Sequence, residues 1–502
     1  MDGNSETLAP WLQRAGGLED LLTEGGDERI AVEAPTGLNR YGCPPSPQDS
    51  AAEFGSSTAS VISARAYLAV QELAERLSAY PSPQAAYAAE APRLRERLAG
   101  LCGLPPAAAA DIVLGASGTD LHLIAAELAR GPAQGALTCI LPDPAETGRG
   151  VANAVRSLRF GEQSPHGGAA CPGEPCDGLK PGRIVAIALR TPEGQPRPAA
   201  DIDRDASQAC TEAVALEGRA LLVLADVSKT GLIAPTQACA LALKSRWGDA
   251  LTVLVDACQF RITAVTLAAY LAQDFLVALT GSKFVGGPAF SGALIIPQRS
   301  AARLRAHPLA AALGDYCGRQ DWPSDYQGRA ELEDRPNLGL LLRWEAALHE
   351  LAAFRALPPE TVDAFVATFA SRIAEAIDAA PGLEALAAPE LDRLPPRHWD
   401  ASPTIFPFLV LGPDGPLPPH RVLALYRRLQ CPAPGDPSAP WAIHLGQPVA
   451  VGYRGERPMS ALRLSLSARL IVEALSAPEG VERVIGRAIQ TLAATQAVAL
   501  TL

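Results

Sequence analysis

Two apolar segments near the middle of the chain each end in a group that can do chemistry, and their order limits the possible folds. The first, 251–255, runs directly into Asp256, and the second, 275–279, is followed by Thr280-Gly281-Ser282-Lys283. The lysine follows the acid by 27 residues, which leaves room for one connecting helix and one strand. A parallel strand–helix–strand unit would therefore bring Asp256 and Lys283 to the same edge of a sheet.

A lysine and an acid held in this way suit the chemistry of pyridoxal phosphate (PLP). The amine forms a Schiff base with the aldehyde, and a carboxylate keeps the pyridine nitrogen protonated so that the ring can accept electrons. Only four of the 43 basic residues are lysines, and arginine stays protonated. Lys180 and Lys244 lie in patterns typical of solvated residues, whereas Lys229 and Lys283 each follow a serine at a strand end. Lys283 is preferred because it follows the acid and precedes a Gly-Gly turn.

The composition describes a globular protein with neither a nucleic acid nor a membrane as its partner. A chain of 502 residues, 48% hydrophobic and 19% charged, allows two or three domains. The net charge of −11 disfavours nucleic acid and anionic membranes, and no apolar run is long enough to cross a bilayer. The N-terminus lacks the pattern of a signal peptide, and the ten scattered cysteines contain no CxxC pair. We therefore expect a cytoplasmic protein with reduced thiols.

The order of the segments predicts an α/β fold with a second, smaller domain. Residues 1–60 form an irregular lead-in or lid, in which the turn-rich stretch 37–45 carries Tyr41. From 61 to 330, near-continuous apolar strands alternate with helices, which is typical of a mostly parallel sheet, here of the seven-stranded type, between two layers of helices. From 331 to 502, long helices and short strands predict a small C-terminal α+β domain.

An anion-binding turn is predicted near the start of the large domain. A short apolar strand at 111–114 leads into Gly115-Ala116-Ser117-Gly118-Thr119-Asp120 and then a helix. Backbone amides at a helix N-terminus, with nearby hydroxyls, bind anions. A helix capped by Thr119 would look similar without any ligand. Upstream of the acid and the lysine, however, the turn is the expected phosphate cup, and it matches neither GxxxxGK[ST] nor GxGxxG.

Taken together, the chain resembles the fold-type I PLP enzymes of the class V aminotransferase and cysteine desulfurase superfamily, over roughly residues 60–470. The motifs that carry the resemblance are Val255-Asp256-Ala257-Cys258-Gln259 and Thr280-Gly281-Ser282-Lys283. The resemblance implies that Asp256 pairs with the pyridine nitrogen and that Lys283 holds the aldehyde and moves the proton. It also implies a role for a set of cofactor-binding residues: Gln259 and Ser228 beside the ring hydroxyl, and Gly118, Thr119, Thr280 and Ser282 at the phosphate.

Two positions depart from the pattern of this superfamily. Such enzymes usually stack a histidine or aromatic ring on the cofactor, but the corresponding stretch here is Ala145-Glu146-Thr147-Gly148, so Thr147 or Glu146 is expected to cover that face. Desulfurases also carry a mobile-loop cysteine, and Cys431 lies in roughly that region with flanks that do not match.

The substrate site is predicted from one arginine and one tyrosine. Arg463 interrupts an apolar strand, where a buried guanidinium needs an anionic partner. In the superfamily an arginine on this strand grips the substrate α-carboxylate, although an internal salt bridge would explain the same residue. Tyr41 is a possible pocket residue, and His122, on the helix after the cup, is more often a packing residue.

We therefore expect a PLP-dependent enzyme, a homodimer, that acts on an amino acid or amine. Transamination is the first interpretation. A C–S lyase, a desulfurase or another β-eliminating lyase is the second, because the fold does not choose among these reactions. A non-catalytic scaffold that keeps the PLP fold is the third.

Overall fold

The computed structural model describes residues 10–13, 17–34, 36–48, 51–105, 110–131, 135–393, 398–433, 435, 438 and 440–501. Its α-helices are α1 Pro10–Gln13, α2 Leu18–Thr23, α3 Ala64–Ser78, α4 Pro83–Leu101, α5 Gly118–Arg130, α6 Val151–Ala154, α7 Ala199–Glu217, α8 Gln237–Trp247, α9 Ala264–Ala272, α10 Gln298–Leu304, α11 Leu338–Arg355, α12 Pro359–Asp378, α13 Pro419–Gln430, α14 Ala468–Leu475 and α15 Gly480–Ala499. Its strands are β1 Ala52–Phe54, β2 Ala110–Gly115, β3 Thr138–Pro142, β4 Arg183–Ile187, β5 Ala220–Asp226, β6 Ile233–Ala234, β7 Leu251–Ala257, β8 Leu276–Thr280, β9 Gly292–Pro297, β10 Leu383–Ala385, β11 Ile405–Gly412, β12 Gly415–Pro416, β13 Ile443–Arg454 and β14 Arg457–Ser465.

The large sheet has the strand order β2-β9-β8-β7-β5-β3-β4, with the short β6 paired to β5. The five strands β8, β7, β5, β3 and β4 are parallel to one another, while β9 runs antiparallel to both of its neighbours. Because parallel strands need crossover connections, helices cover both faces. This is the predicted α/β fold with a mostly parallel seven-stranded sheet, which the structure confirms.

Side chains that alternate along the strands of the large sheet build two separate hydrophobic cores. Val253 and Val255 belong to one core and Leu254 to the other, and the strands on either side alternate in the same way. Since successive side chains of a strand point to opposite faces, both faces of the sheet are buried. The helix α5 lies on one face, and α3, α4 and α11 pack together on the other.

A second, mostly antiparallel sheet follows the order β1-β13-β14-β11-β10, with β12 paired to β11. Its first strand comes from the N-terminal part of the chain, because Ala52–Phe54 pairs parallel to β13. The boundaries at 60 and 330 stay a prediction, but β1 shows that the N-terminal segment contributes a strand to the C-terminal sheet. No helix among the described residues combines the length and the apolar character needed to cross a bilayer.

Candidate active site

The turn between β2 and α5 is built as a helix cap. The hydroxyl of Ser117 accepts hydrogen bonds from the backbone N–H groups of Thr119 (3.2 Å) and Asp120 (3.4 Å), and the Asp120 carboxylate accepts from the Ser117 N–H at 2.8 Å. Burial raises the pKa of Asp120 to about 7, although the Ser117 hydrogen bonds oppose this shift. The helix start is therefore pre-formed, and among its first N–H groups that of Gly118 has no acceptor in the described part of the chain.

Gly118 is the point where this turn meets the strands that carry the acid and the lysine. A Cβ atom at Gly118 would lie 2.7 Å from Cys258 Sγ and 3.4 Å from Thr280 Cγ2. Only glycine fits this close approach. Next to it, Thr119 is buried, and its side chain faces the loop after β3, where a Cβ at Gly148 would lie 3.8 Å from Thr119 Oγ1. The predicted cup residues thus lie together with the ends of β3, β7 and β8.

Asp256, in β7, forms an ion pair with a histidine of α5. His122 Nε2 lies 3.4 Å from Asp256 Oδ2, and His122 Nδ1 lies 2.7 Å from the carbonyl oxygen of Gly118. Burial disfavours the charged forms of both groups. For each group, the attraction to the opposite charge of its partner is larger than that cost. The pKa of His122 is therefore raised, and that of Asp256, with Lys283 as a further cation nearby, lies well below its usual range.

His122, for which the sequence allows either a packing role or a place in the pocket wall, also contacts the predicted acid. It is fully buried, yet its ring joins the phosphate-cup turn to the predicted cofactor acid. Cys258 lies within reach of the same two groups, so that one ligand atom from each falls inside 4.8 Å. Burial and the neighbouring Asp256 raise the pKa of the Cys258 thiol well above 9, which disfavours the thiolate that a metal would require.

Lys283 follows β8, the strand next to β7, and is half-buried. Within the described part of the chain its Nζ has no hydrogen-bond partner, whereas its carbonyl oxygen accepts from Gly286 N–H at 3.0 Å. The preceding hydroxyls are linked, because Ser282 Oγ lies 3.3 Å from Thr280 Oγ1, and Thr280 Oγ1 donates to the Cys258 carbonyl at 2.6 Å. A Cβ at Gly281 would lie 2.5 Å from Ala347 Cβ, so the backbone before Lys283 packs directly on α11.

Gln259 lies behind the acid, in contact with the N-terminal segment. Its amide Nε2 donates to the Ser57 carbonyl at 3.1 Å, and Arg261 Nε approaches its Oε1 at 3.4 Å. The side chain is buried and already has a protein partner on each side. Its predicted place beside a ring hydroxyl stays a prediction.

Glu146 organises the loop after β3, where the superfamily would place a stacking ring. Its carboxylate accepts from Arg190 Nε at 3.0 Å, from Ser228 Oγ at 2.7 Å and from Thr230 Oγ1 at 2.7 Å. The Ser228 hydroxyl therefore donates to Glu146. By contrast, the neighbouring Thr147 Oγ1 is buried without a hydrogen-bond partner among the described residues, as is typical of a group that awaits a ligand.

Arg463, in β14, is buried without a carboxylate partner in the described structure. Its Nη1 donates to the Lys229 carbonyl at 3.3 Å, and its Nη2 donates to Thr58 Oγ1 at 2.9 Å and to the Gln447 carbonyl at 2.7 Å. Its Nε is buried and has no partner. Burial lowers the pKa of Arg463 to about 10. The sequence allowed an internal salt bridge as the explanation of Arg463, but the described residues contain none. Most N–H groups of the guanidinium donate to neutral acceptors instead.

Tyr41 lies in the N-terminal segment between two small apolar clusters, one of which contains Phe290 and the other Val61. Its backbone carbonyl accepts from Gln430 Nε2 at 2.9 Å. Burial raises the pKa of the phenol, while the nearby Arg29 opposes the shift.

The N-terminal segment also reaches the phosphate cup. Arg29 forms an ion pair with Asp27 at 2.6 Å, and its Nη2 lies 3.5 Å from Ser117 Oγ. The segment is held by Arg343, whose guanidinium donates to the carbonyls of Leu22 (3.1 Å) and Gly25 (3.3 Å) and not to an acid. Arg343 therefore anchors the segment that borders the cup.

No protein-family model and no curated protein matches this sequence, so its relatives are found at the level of the fold. The class that shares the fold is that of PLP-dependent enzymes of the cysteine desulfurase and C–S lyase type. Two particular structures are of C-DES. One is a lysine-to-alanine mutant with glycine covalently linked to the PLP cofactor (15% identity, TM-score 0.53, covering 88% of this chain and 96% of that one). The other is the cystine C–S lyase with its product cysteine persulfide (16% identity, TM-score 0.51, covering 86% of this chain and 97% of that one). A NifS-like protein from Rickettsia africae ESF-5 is similar as well (14% identity, TM-score 0.50, covering 87% of this chain and 98% of that one).

Two features of the site were not found from the sequence. The His122–Asp256 pair joins residues far apart in the chain. The Glu146–Arg190–Ser228 network depends on three separate loops. The sequence offers one signal for these residues, which is their place in the chain. Each of them follows the carboxyl end of a strand or lies at the start of the helix after it.

Proposed function

We propose that this protein is a PLP-dependent enzyme that acts on an amino acid, and that its reaction is a transamination. The observation that carries the proposal is the arrangement of Asp256 and Lys283 at the ends of two adjacent parallel strands, beside the pre-formed N-terminus of α5. An acid, an amine and an anion cradle at one sheet edge are the three groups that this cofactor requires. The Thr147 hydroxyl, which is buried without a hydrogen-bond partner among the described residues, supports the fit.

The residues that would hold the cofactor follow from the geometry around the cup. The backbone N–H of Gly118 at the start of α5, with the hydroxyls of Thr119, Thr280 and Ser282, would bind the phosphate. Gln259 and Ser228 would lie beside the ring hydroxyl, as the resemblance implies, and Thr147 would cover one face of the ring. When bound, PLP supplies an electrophilic aldehyde and an electron-accepting ring.

The protein's own contribution is control of charge and protons. Asp256 stays ionised because His122 stabilises the carboxylate from behind, so that it can hold a proton on the pyridine nitrogen. The amine of Lys283, which has no protein partner in the described structure, is free to bond the aldehyde and afterwards to carry a proton at the substrate Cα.

The amino acid would bind through its carboxylate near Arg463, a buried cation without an anionic partner among the described residues. A carboxylate there would compensate the buried charge, at the cost of exchanging neutral acceptors such as Thr58 Oγ1. Tyr41 would border the entrance, together with the N-terminal segment.

The competing reaction is C–S bond cleavage, because two of the similar structures carry the name of a C–S lyase or its product. Cys431, the thiol that a desulfurase-type reaction would need, is exposed at the C-terminal end of α13. The two reactions share the first proton transfer and differ in what leaves the substrate.

The first experiment tests for the covalent amine. The purified protein, saturated with PLP, is reduced with borohydride, digested and mapped. We expect the pyridoxyl group on Lys283, and loss of both the yellow colour and the label in Lys283→Ala. Lys180→Ala is the matched control, since Lys180 is exposed on the surface. A protein that stays colourless with added PLP would favour the scaffold interpretation and refute the enzyme.

The second experiment separates the reactions. The holoenzyme is incubated with an amino-acid panel, and keto acid, pyridoxamine phosphate, ammonia and sulfide are measured. Keto acid with stoichiometric pyridoxamine phosphate supports transamination. Sulfide or persulfide from cysteine or cystine, abolished or unchanged in Cys431→Ser, would replace it with a C–S lyase and would show whether that thiol takes part.

A further inference from the structure

Lys229 is a second amine in the wall of the candidate site. It follows Ser228 directly, and its backbone N–H donates to the Glu146 carbonyl at 2.9 Å, while its own carbonyl accepts from Arg463 Nη1 at 3.3 Å. The loop at 144–147, where the superfamily would carry a stacking ring, therefore lies on one side of Lys229, and the candidate carboxylate-binding arginine lies on the other.

The hydrogen bonds of Lys229 match a neutral amine better than an ammonium. Its Nζ lies 3.3 Å from the carbonyl oxygens of both Pro144 and Ala145, and the described residues offer no third acceptor. A neutral amine has two N–H donors and one lone pair, whereas an ammonium has three donors. Two acceptors therefore satisfy the neutral form and leave its lone pair free.

The charges around Lys229 favour the same form. The nearest carboxylate, Glu146, is already bonded to Arg190, Ser228 and Thr230, and no ion pair joins it to Lys229. The other charged groups that act on the amine are cations: Arg463, Lys283 and Arg149. Burial, with these cations, lowers the pKa of Lys229 to about 7. Lys244 shows the contrast, since its amine has a carboxylate partner, Asp274, at 3.5 Å.

We propose that Lys229 is a second acid–base group of this site, which takes the proton from the ammonium group of the incoming amino acid. The inference rests on the proposed function, because it presumes an amino-acid substrate. The substrate arrives as R–NH3⁺ and must be R–NH2 before its nitrogen can attack the aldehyde. The lone pair of Lys229 Nζ accepts that proton, so that R–NH3⁺ and the neutral amine become R–NH2 and the Lys229 ammonium.

The position of Lys229 suits this transfer in both directions. A substrate with its carboxylate near Arg463 would have its amino group one carbon away, and the charges of both Arg463 and Lys283 act on the Lys229 amine. Once protonated, the Lys229 ammonium is unfavourable beside Arg463 and Lys283 and has no counterion in the described structure. It therefore returns its proton to solvent, or to the product amine in the reverse direction.

Competitive labelling tests the protonation state without any turnover. Because the chain has only four lysines, the PLP-bound protein is treated at a series of pH values with a trace of isotopic acetic anhydride, fully acetylated with the unlabelled reagent under denaturing conditions, and digested. The label at each lysine is then measured by mass spectrometry. We expect Lys229 to reach half of its maximal reactivity near pH 7, well below the exposed Lys180. Reactivity of Lys229 that follows Lys180 across the pH range, or no reactivity at any pH, overturns the proposal.

A kinetic test separates an acid–base role from a merely structural one. In Lys229→Met, we expect the rate of the spectral change on adding amino acid at pH 7 to fall by about 100-fold. The remaining rate should rise with pH as the substrate amine deprotonates, and added methylamine should restore part of it. Lys229→Arg, which keeps the charge but has no basic lone pair at this pH, should not recover the rate. A loss that is independent of pH and insensitive to methylamine would mean that Lys229 only holds the loop.

The outcome can be told apart from a failure of the proposed function. Borohydride trapping reports on Lys283, while labelling reports on Lys229. If Lys283 is trapped and Lys229 titrates as an ordinary lysine, only this inference fails. If Lys283 is not trapped, the proposed function itself fails.

Discussion

Replacing Asp256 by asparagine removes the charge that both His122 and the proposed pyridine nitrogen require, while the side chain keeps nearly the same shape. Removing one partner of a buried ion pair costs roughly 3–5 kcal/mol of folding free energy. We expect a cost at the lower end of this range, about 3 kcal/mol, because His122 and Asp256 are 3.4 Å apart and the Asp256 side chain is 12% exposed. For the cofactor, loss of a charge-assisted hydrogen bond of about 2–3 kcal/mol corresponds to PLP affinity weaker by about 30- to 150-fold.

The pH dependence of this loss follows from His122. Its pKa is raised in the folded protein, so the stability it contributes is fully present below the unfolded pKa of roughly 6.5 and is lost as pH rises through the folded value. In Asp256→Asn the partner carboxylate is gone, and burial alone acts on the ring. The difference in unfolding free energy between wild type and variant should therefore be largest near pH 5–6 and smaller at pH 9.

The assay is urea denaturation of the cofactor-free protein between pH 5 and 9, together with absorbance titration with PLP at pH 7.5. Asp177→Asn is the matched control, because that carboxylate is 96% exposed, and it should change neither quantity. A PLP affinity within threefold of wild type, or a stability difference that does not change with pH, would refute the roles assigned to Asp256 and His122.

Three further results are expected. Gly118→Ala should cost about 1–3 kcal/mol of stability and weaken PLP binding, because the new Cβ would lie 2.7 Å from Cys258 Sγ, and adding Cys258→Ala should restore part of both in the same titrations. The pKa of Asp120 is raised to about 7, so the stability that this group contributes to the fold is lost as pH rises through that value. Asp120→Asn should therefore stabilise the folded protein by on the order of 1 kcal/mol at pH 8.5 and not at pH 5. Equal effects at both pH values in thermal melts would contradict this. Arg343→Met should leave the carbonyls of the N-terminal segment unsatisfied and speed proteolysis within 17–34, with Arg372→Met, on the surface, as control; unchanged cleavage would contradict the anchoring role.

The elements that the sequence predicted well are those whose ends carry a local signal. The apolar runs 251–255 and 275–279 correspond closely to β7 and β8, because an apolar run that ends in a polar motif is a local signal. The strand β1 was missed because its parallel partner β13 lies almost 400 residues further along the chain.

For the site, the chain order alone predicted that Asp256 and Lys283 would meet, because two neighbouring parallel strands with one crossover leave their carboxyl ends side by side. The partners of these groups belong to the tertiary structure. His122 lies behind Asp256 only because α5 packs on that face of the sheet, and Lys229 loses a counterion only because Glu146 bonds Arg190, from another loop. Local signals in a sequence predict which side chain lies at the end of a strand. The charge state of that side chain depends on burial and on distances to groups that are remote along the chain, which only the folded packing sets.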